Sequence, residues 1–191
     1  MANRAHLYAV DLIPSIGVPN ANLNAVGLSE YNSDVPVAYK FLVSKQIQIC
    51  DSAIWRQKDL ALIGDYKEGT ALLLALLKAY GDALPSADAA FDEAYHETES
   101  FLLDIKNSRK YILLEAGEIF ELDDDKDLQA NNKKLFKELA GLKDQGDSRF
   151  INGTLRSILD VKKQGQWNAE DFGITSWSNV LYYDLTKDNI S

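Results

Sequence analysis

The chain has 191 residues, of which 46% are hydrophobic and 26% charged, proportions that exclude a disordered chain. A chain of this length can bury a core without a disulfide or a structural metal, and its single cysteine allows neither an intramolecular disulfide nor a cysteine-based zinc cage. The net charge of −9 disfavours nucleic acid as a partner, because that binding depends on basic side chains that neutralise phosphates.

The first predicted element is a strand over residues 4–10, whose apolar and aromatic side chains suit a pleated surface. Residues 13–34 are rich in Pro, Gly, Asn and Ser, and they predict a long irregular loop. Pro36 favours a short helix that ends near Ser44, since proline is tolerated in the first helical turn. Residues 46–54 then have some strand character.

A buried strand and a helix are predicted next. The strand is the apolar run 60–63. Asp65 and Glu68 have the spacing of a capping box ahead of a helix over 69–80, and Gly81 is a typical helix terminator.

A second helix is predicted from an N-cap at Ser86 to about Ile105. Its apolar residues recur at helical spacing and line one face: Phe91, Tyr95, Thr98, Leu102 and Ile105. The opposite face carries carboxylates and is predicted to be solvated.

Residues 111–122 predict a β-hairpin, because two runs rich in strand-forming residues flank the Gly-containing turn 115–118. The alternative is one helix with Gly117 in its middle, which would weaken it. A helix starting within 123–127, a further helix over 149–163 and a final strand over 180–185 complete the prediction.

Strands and helices therefore mix without regular alternation, which predicts an α+β fold. We expect one domain over residues 1–191, with a small, mostly antiparallel sheet, a hairpin near 110–122 and four to five helices packed against the sheet.

Four patterns resemble known chemical sites, and each fails a requirement of that site. Glu93 and His96 have the Glu-x-x-His spacing of di-iron carboxylate bundles, but there is no second copy, and both side chains point away from the predicted buried stripe. Cys50 lacks a nucleophile signature that would pair it with a histidine, so it is expected to be a small buried hydrophobe.

The other two patterns are an acidic run and a loop between a strand and a helix. Residues 122–127 cluster carboxylates without the central Gly of a calcium loop. In the segment 64–69 the second glycine, Gly69, is followed by Thr70 where a phosphate loop requires Lys, and the carboxylates of the segment would repel phosphate. We therefore predict no catalytic residue, no metal site and no cofactor.

The acidic excess is local. Residues 79–131 hold fourteen acidic and four basic side chains, whereas 1–78 are neutral and 132–191 carry one net positive charge. Such a field can steer a basic protein at long range. The carboxylates predicted to meet that partner are Asp88, Asp92, Glu93, Glu97, Glu99, Asp123, Asp124 and Asp125. Tyr31, Trp167 and Trp177 are aromatic candidates for the same interface.

Several short motifs resemble a family of bacterial proteins of unknown function. They are MANR at 1–4 with Leu7 and Tyr8, and the segments 27–32, 34–36, 52–55 and 64–66. The resemblance spans about the first third of the chain and implies no activity and no catalytic residue. The predicted hairpin is also similar to part of the small cytoplasmic immunity proteins that neutralise contact-dependent toxins.

The start of the chain lacks the apolar core of a signal peptide, and the longest apolar run, 71–77, is too short to cross a bilayer. We therefore expect a cytoplasmic protein with no membrane partner. The favoured hypothesis is an immunity-type inhibitor that presents an acidic surface to a basic protein. The alternatives are a hydrolase with an unfamiliar carboxylate site and an interaction subunit without an inhibitory role.

Overall fold

The computed structural model describes residues 3–122, 127–143, 146–163 and 168–186. Among these, five strands form one antiparallel sheet in the order β2-β1-β5-β4-β3. The strands are β1 (Arg4–Val10), β2 (Val26–Asn32), β3 (Gln48–Cys50), β4 (Ala61–Asp65) and β5 (Tyr111–Glu115). The α-helices are α1 (Val37–Val43), α2 (Tyr66–Ala83), α3 (Ala89–Leu103), α4 (Gly117–Phe120), α5 (Leu128–Lys143) and α6 (Asp147–Lys163). The predicted α+β class is confirmed.

The two faces of the sheet are covered differently. Helices supply the layer over one face, where Leu7, Leu62 and Leu114 join apolar residues of α1, α2, α3, α5 and α6 in the main core. The alternate positions, such as Tyr8 and Leu113, point to the other face because side chains alternate along a strand. Irregular segments near the strand ends and the segment 179–186 cover that second face.

Helices α2 and α3 both begin at a side-chain cap, as predicted, but the capping residue of α3 differs from the predicted one. The Asp65 carboxylate accepts a hydrogen bond from the Glu68 N–H at 2.8 Å, so α2 begins directly at the end of β4. The helix therefore begins at Tyr66, three residues before its predicted start at Gly69, and it continues past Gly81 to Ala83 instead of stopping at that glycine. The N-cap of α3 is Asp88 and not Ser86, since the Asp88 carboxylate accepts from the Phe91 N–H at 3.2 Å.

The predicted hairpin over 111–122 is wrong. β5 is the central strand of the sheet, paired with β1 on one side and β4 on the other, and it is followed by the short helix α4. Gly117 begins that helix and lies close against Trp55, since a Cβ at this position would be 2.9 Å from Cδ1 of the indole. A turn back into the sheet is excluded, because both edges of β5 are already occupied.

Two predictions about the ends of the chain are also wrong. Within the supposed irregular loop 13–34, Val26–Asn32 forms β2, which gains its hydrogen bonds by pairing with β1. Residues 180–185 form no strand. They are held to the sheet by side chains instead: the Tyr8 hydroxyl donates to the Tyr183 carbonyl at 2.8 Å, and Leu185 is buried.

The helix start predicted within 123–127 lies outside the described residues except for Asp127, and α5 runs from Leu128. The Asp127 carboxylate accepts a hydrogen bond from the Ala130 N–H at 2.9 Å, as a residue that caps this helix would.

None of the helices that the described ranges contain has both the length and the apolar composition needed to cross a membrane.

Candidate partner-binding surface

The exposed face of α3 is acidic and contains no Lys or Arg. Asp92, Glu93 and Glu97 are exposed, while Phe91 and Leu102 on the opposite side are buried in the main core. No Lys or Arg occurs between Lys78 and Lys106 in the sequence. The helix therefore presents its carboxylates to solvent, as its apolar periodicity predicts.

Two further predicted carboxylates lie on or beside the same helix and have partners. Asp88 accepts a hydrogen bond from Lys162 at 3.1 Å, and this bond, with that from the Phe91 N–H, lowers the pKa of Asp88. The Glu99 carboxylate accepts from the Tyr95 hydroxyl at 3.4 Å. The remaining predicted residues, Asp123, Asp124 and Asp125, lie outside the described residues.

A groove of about 620 Å³ adjoins this acidic face at the C-terminal end of α3. Phe101 and Trp177 stack within it, with ring centroids 5.6 Å apart, and two carboxylates and one ammonium group lie along it, those of Glu97, Asp104 and Lys106. The Trp177 indole N–H donates to the Thr98 hydroxyl at 2.8 Å, which holds the ring against the helix. Aromatic rings and carboxylates thus share one surface.

Large apolar side chains are exposed next to the groove. Leu103 is 63% exposed and Ile105 is 85% exposed, because α3 ends at Leu103 and the chain turns away from the core. The predicted burial of Ile105 is therefore wrong. Asn107 and Asn179, which both line the groove, are joined by a hydrogen bond of 2.9 Å.

The carboxyl group with the most altered environment is not on this surface. Glu115, at the end of β5, is only 1% exposed, and burial raises its pKa to about 7. Its oxygens accept from the Ser52 hydroxyl at 2.7 Å and the Ala53 N–H at 2.6 Å. Through these bonds Glu115 anchors the 52–54 loop. It lines neither the groove beside α3 nor four other cavities of the described residues, so none of these five supplies the deep-pocket carboxylate that the hydrolase hypothesis requires.

His6 pairs with Glu115 across β1 and β5 and is equally buried, at 1% exposure. Neither ring nitrogen forms a hydrogen bond, although Nδ1 lies 3.5 Å from the Glu30 carboxylate. Burial lowers the pKa of His6, opposed by the carboxylates of Glu118 and Glu30. The imidazole is therefore neutral, and its ring meets that of Tyr183 edge-on at 5.2 Å.

We expect His6→Phe to stabilise the protein by about 1 kcal/mol, because an unpaired buried polar group is replaced by a ring that keeps the contact with Tyr183. Because folding lowers the pKa of His6, the residue contributes stability at pH values above its ordinary pKa of 6.5. This contribution is lost as the pH falls below that value. Urea unfolding at several pH values should therefore show the largest gain in acid. A variant that is less stable than the parent at every pH contradicts the expected gain.

The residues that the sequence suggested for a nucleophile or a metal site do not form one in the structure. Cys50 is buried, and burial raises the pKa of its thiol, which opposes formation of a thiolate nucleophile. His96 is exposed on α3 beside Glu99, with 4.0 Å between Nδ1 and the carboxylate. Over the ranges that the structure describes, no three His, Cys, Asp or Glu side chains converge as a metal centre requires.

The three aromatic residues predicted for the interface have different surroundings. Tyr31 and Trp177 both pack against the main core, and Trp177 also lines the groove. Trp167 lies outside the described residues. Sequence reasoning missed the groove because Phe101 and Trp177 are far apart in the chain. The local signals were Phe101, an aromatic residue off the predicted buried stripe, and Trp177, one of the predicted interface aromatics.

Residues 11–154 match the model of one protein family, described as a domain of unknown function (DUF7822). The chain belongs to this family. The DUF7822 match includes β2, α3 and β5 and ends within α6, so it contains the acidic face of α3, but not Trp177. Among the curated proteins none matches the chain significantly, and the same holds for the solved structures.

Proposed function

We propose that this chain is a protein-binding module that takes a basic protein partner on the exposed face of α3 and in the adjoining groove. The observation that supports the proposal most directly is the juxtaposition of Glu97 and Asp104 with the stacked rings of Phe101 and Trp177. Aromatic residues dominate the affinity of protein interfaces, and complementary charge governs the rate and specificity of association.

The partner's expected chemistry follows from the surface. Asp92, Glu93 and Glu97 are exposed and form no ion pair with any Lys or Arg among the residues described, so their charge remains available to a partner. Lys or Arg side chains of the partner would approach along α3, and apolar side chains would cover Leu103 and Ile105.

The narrower form of this proposal is an inhibitor of the immunity type, for which the basic partner is a toxin. An acidic protein that covers the basic active-site cleft of a toxin stops its activity by occupying that cleft. In that case the purified chain should inhibit the partner's activity at equimolar concentration, and a variant without the exposed α3 carboxylates should not.

Neutralising the exposed carboxylates with Asp92→Asn, Glu93→Gln and Glu97→Gln should weaken capture of basic proteins from a lysate of the native organism at low salt. Affinity capture and mass spectrometry of the parent and the triple variant would measure this. For any partner identified, loss of three charges should slow association about tenfold at low salt, with little effect at high salt.

The matched control carries the same charge change at exposed positions away from α3: Asp59→Asn, Glu68→Gln and Glu138→Gln. It should capture the same proteins as the parent. If both triple variants lose the partner equally, only net charge matters and α3 is not the binding surface. Leu103→Ser with Ile105→Ser tests the apolar part, because both side chains are exposed and their replacement leaves the core intact.

A further inference from the structure

A separate pocket of about 400 Å³ lies where β1 begins and β5 gives way to α4. Three aromatic rings, two carboxylates and one guanidinium line it: Trp55, Tyr182, Tyr183, Glu118, Glu121 and Arg4. We call this the aromatic pocket. It shares no lining residue with the groove beside α3.

The indole of Trp55 is held in place by its surroundings. Its ring lies against Gly117, where a Cβ would overlap Nε1 of the indole. The backbone N–H of Trp55 donates to Ser52 Oγ at 2.8 Å, and the Ser52 hydroxyl donates in turn to the buried Glu115. The ring is therefore positioned before any ligand arrives, which lowers the entropy cost of binding.

The ring of Tyr183 is fixed at both of its ends. Its hydroxyl donates to Glu118 at 3.0 Å, and its backbone carbonyl accepts from the Tyr8 hydroxyl at 2.8 Å. The Tyr183 ring also packs edge-on against the ring of His6, a residue of β1. The Tyr182 ring meets that of Tyr183 at 89°, with centroids 5.0 Å apart.

The charges around the pocket favour a cation. Glu118 and Glu121 outnumber the one guanidinium, that of Arg4. Arg4 itself lies over the Tyr182 ring, 5.5 Å from its centroid, so one aromatic face of the pocket already holds a cation. Trp55 and Tyr183 supply the remaining aromatic rings beside the two carboxylates.

We propose that the aromatic pocket binds an organic cation of the quaternary or methylated ammonium class. Such cations are attracted to the faces of Trp and Tyr rings and need no hydrogen-bond acceptor. The Glu118 carboxylate accepts from the backbone N–H of Arg4 at 2.8 Å and from the Tyr183 hydroxyl, so part of its hydrogen-bonding capacity is already used while its charge remains. A primary ammonium is strongly hydrated and has three N–H donors, and the aromatic faces supply no acceptors for them.

The first test is a titration of the full chain with choline, followed on the indole N–H signals by NMR. The Trp55 signal should shift in the millimolar range, and the signal of Trp177, in the other groove, should not. The neutral isostere of choline, with a tert-butyl group in place of trimethylammonium, should bind at least about fivefold more weakly. Equal binding of the isostere, a shift of Trp177 alone, or no shift overturns the proposal.

Variants assign the site, with binding followed on the methyl signal of choline. Trp55→Leu should abolish binding, Trp55→Phe should retain part of it, and Glu121→Gln should weaken it about threefold. Glu93→Gln, on α3, should leave choline binding unchanged, which separates this site from the protein-binding surface. Unchanged binding in Glu121→Gln, whose side chain is exposed and whose fold is not at risk, contradicts the role of the carboxylates.

A quaternary or methylated ammonium group occurs both in free metabolites and in the methylated lysine of a protein. A peptide with trimethyllysine and the same peptide with unmodified lysine distinguish these sources. Preference for the methylated peptide over choline identifies a modified protein as the ligand, and preference for choline identifies a small molecule. Equal binding of the methylated and unmodified peptides would contradict the proposed selectivity.

Discussion

Gly69→Ala is expected to lower the free energy of unfolding by about 3 kcal/mol, which corresponds to a drop of about 10 °C in Tm for a chain of this size. Gly69 lies in the first turn of α2, where a Cβ would overlap the Leu42 carbonyl oxygen and lie 2.8 Å from its carbonyl carbon. These atoms belong to the backbone of α1, so they cannot rotate away as a side chain does. Thermal and urea unfolding would measure the loss.

Gly141→Ala is the matched control, because Gly141 also lies in a helix, and a Cβ added there would meet no atom outside that helix within 4 Å. Replacing it should raise stability by about 0.5 kcal/mol, since alanine restricts the unfolded chain and favours the helix. If both variants change stability by similar amounts, the close contact between α1 and α2 does not control stability at Gly69.

Glu115→Gln is expected to remove a pH dependence of about 3 kcal/mol from the free energy of unfolding. Burial raises the pKa of Glu115 from 4.5 to about 7, so the folded protein keeps this proton to higher pH than the unfolded chain does. The contribution is therefore fully present below pH 4.5 and is lost as the pH rises through about 7. The glutamine oxygen can still accept from the Ala53 N–H, and its amide can donate to Ser52 Oγ.

Urea unfolding of the parent and Glu115→Gln from acid to mildly alkaline pH would measure this effect. The difference in stability between the two proteins should shift in favour of the variant as the pH rises. Glu93→Gln, which removes an exposed carboxylate, should follow the parent within a few tenths of a kcal/mol. A constant difference between the parent and Glu115→Gln across the range contradicts a raised pKa at Glu115. The contribution of His6 to stability falls as the pH falls, whereas that of Glu115 falls as the pH rises. Comparing His6→Phe and Glu115→Gln with the parent therefore separates the two effects.

The elements with strong local signals were predictable. β1 was predicted with the bounds that it has in the structure, and the Asp65 cap places the start of α2 because the carboxylate and the N–H that it accepts from are three residues apart. The acidic face of α3 was also predictable, since its periodicity alone separates buried from exposed positions.

The elements that depend on distant partners were not predictable. β5 was interpreted as half of a hairpin, because its sequence shows strand propensity but not that β1 and β4 occupy its two edges. β2 was missed because its strand depends on pairing with β1. Residues 180–185 have strand-forming side chains, yet the Tyr183 hydroxyl donates to Glu118, and the Tyr183 carbonyl accepts from the Tyr8 hydroxyl of β1.

The same distinction applies to the candidate sites. Composition and helical periodicity were enough to establish the α+β class, the absence of a disulfide within the chain and the acidic character of α3, because these properties depend on neighbouring residues or on simple counts. The packing of the sheet and helices was needed to bring Trp177 to Phe101, to place Trp55 and Tyr183 around the aromatic pocket, and to bury Glu115. These contacts join residues far apart in the chain, so no local pattern encodes them.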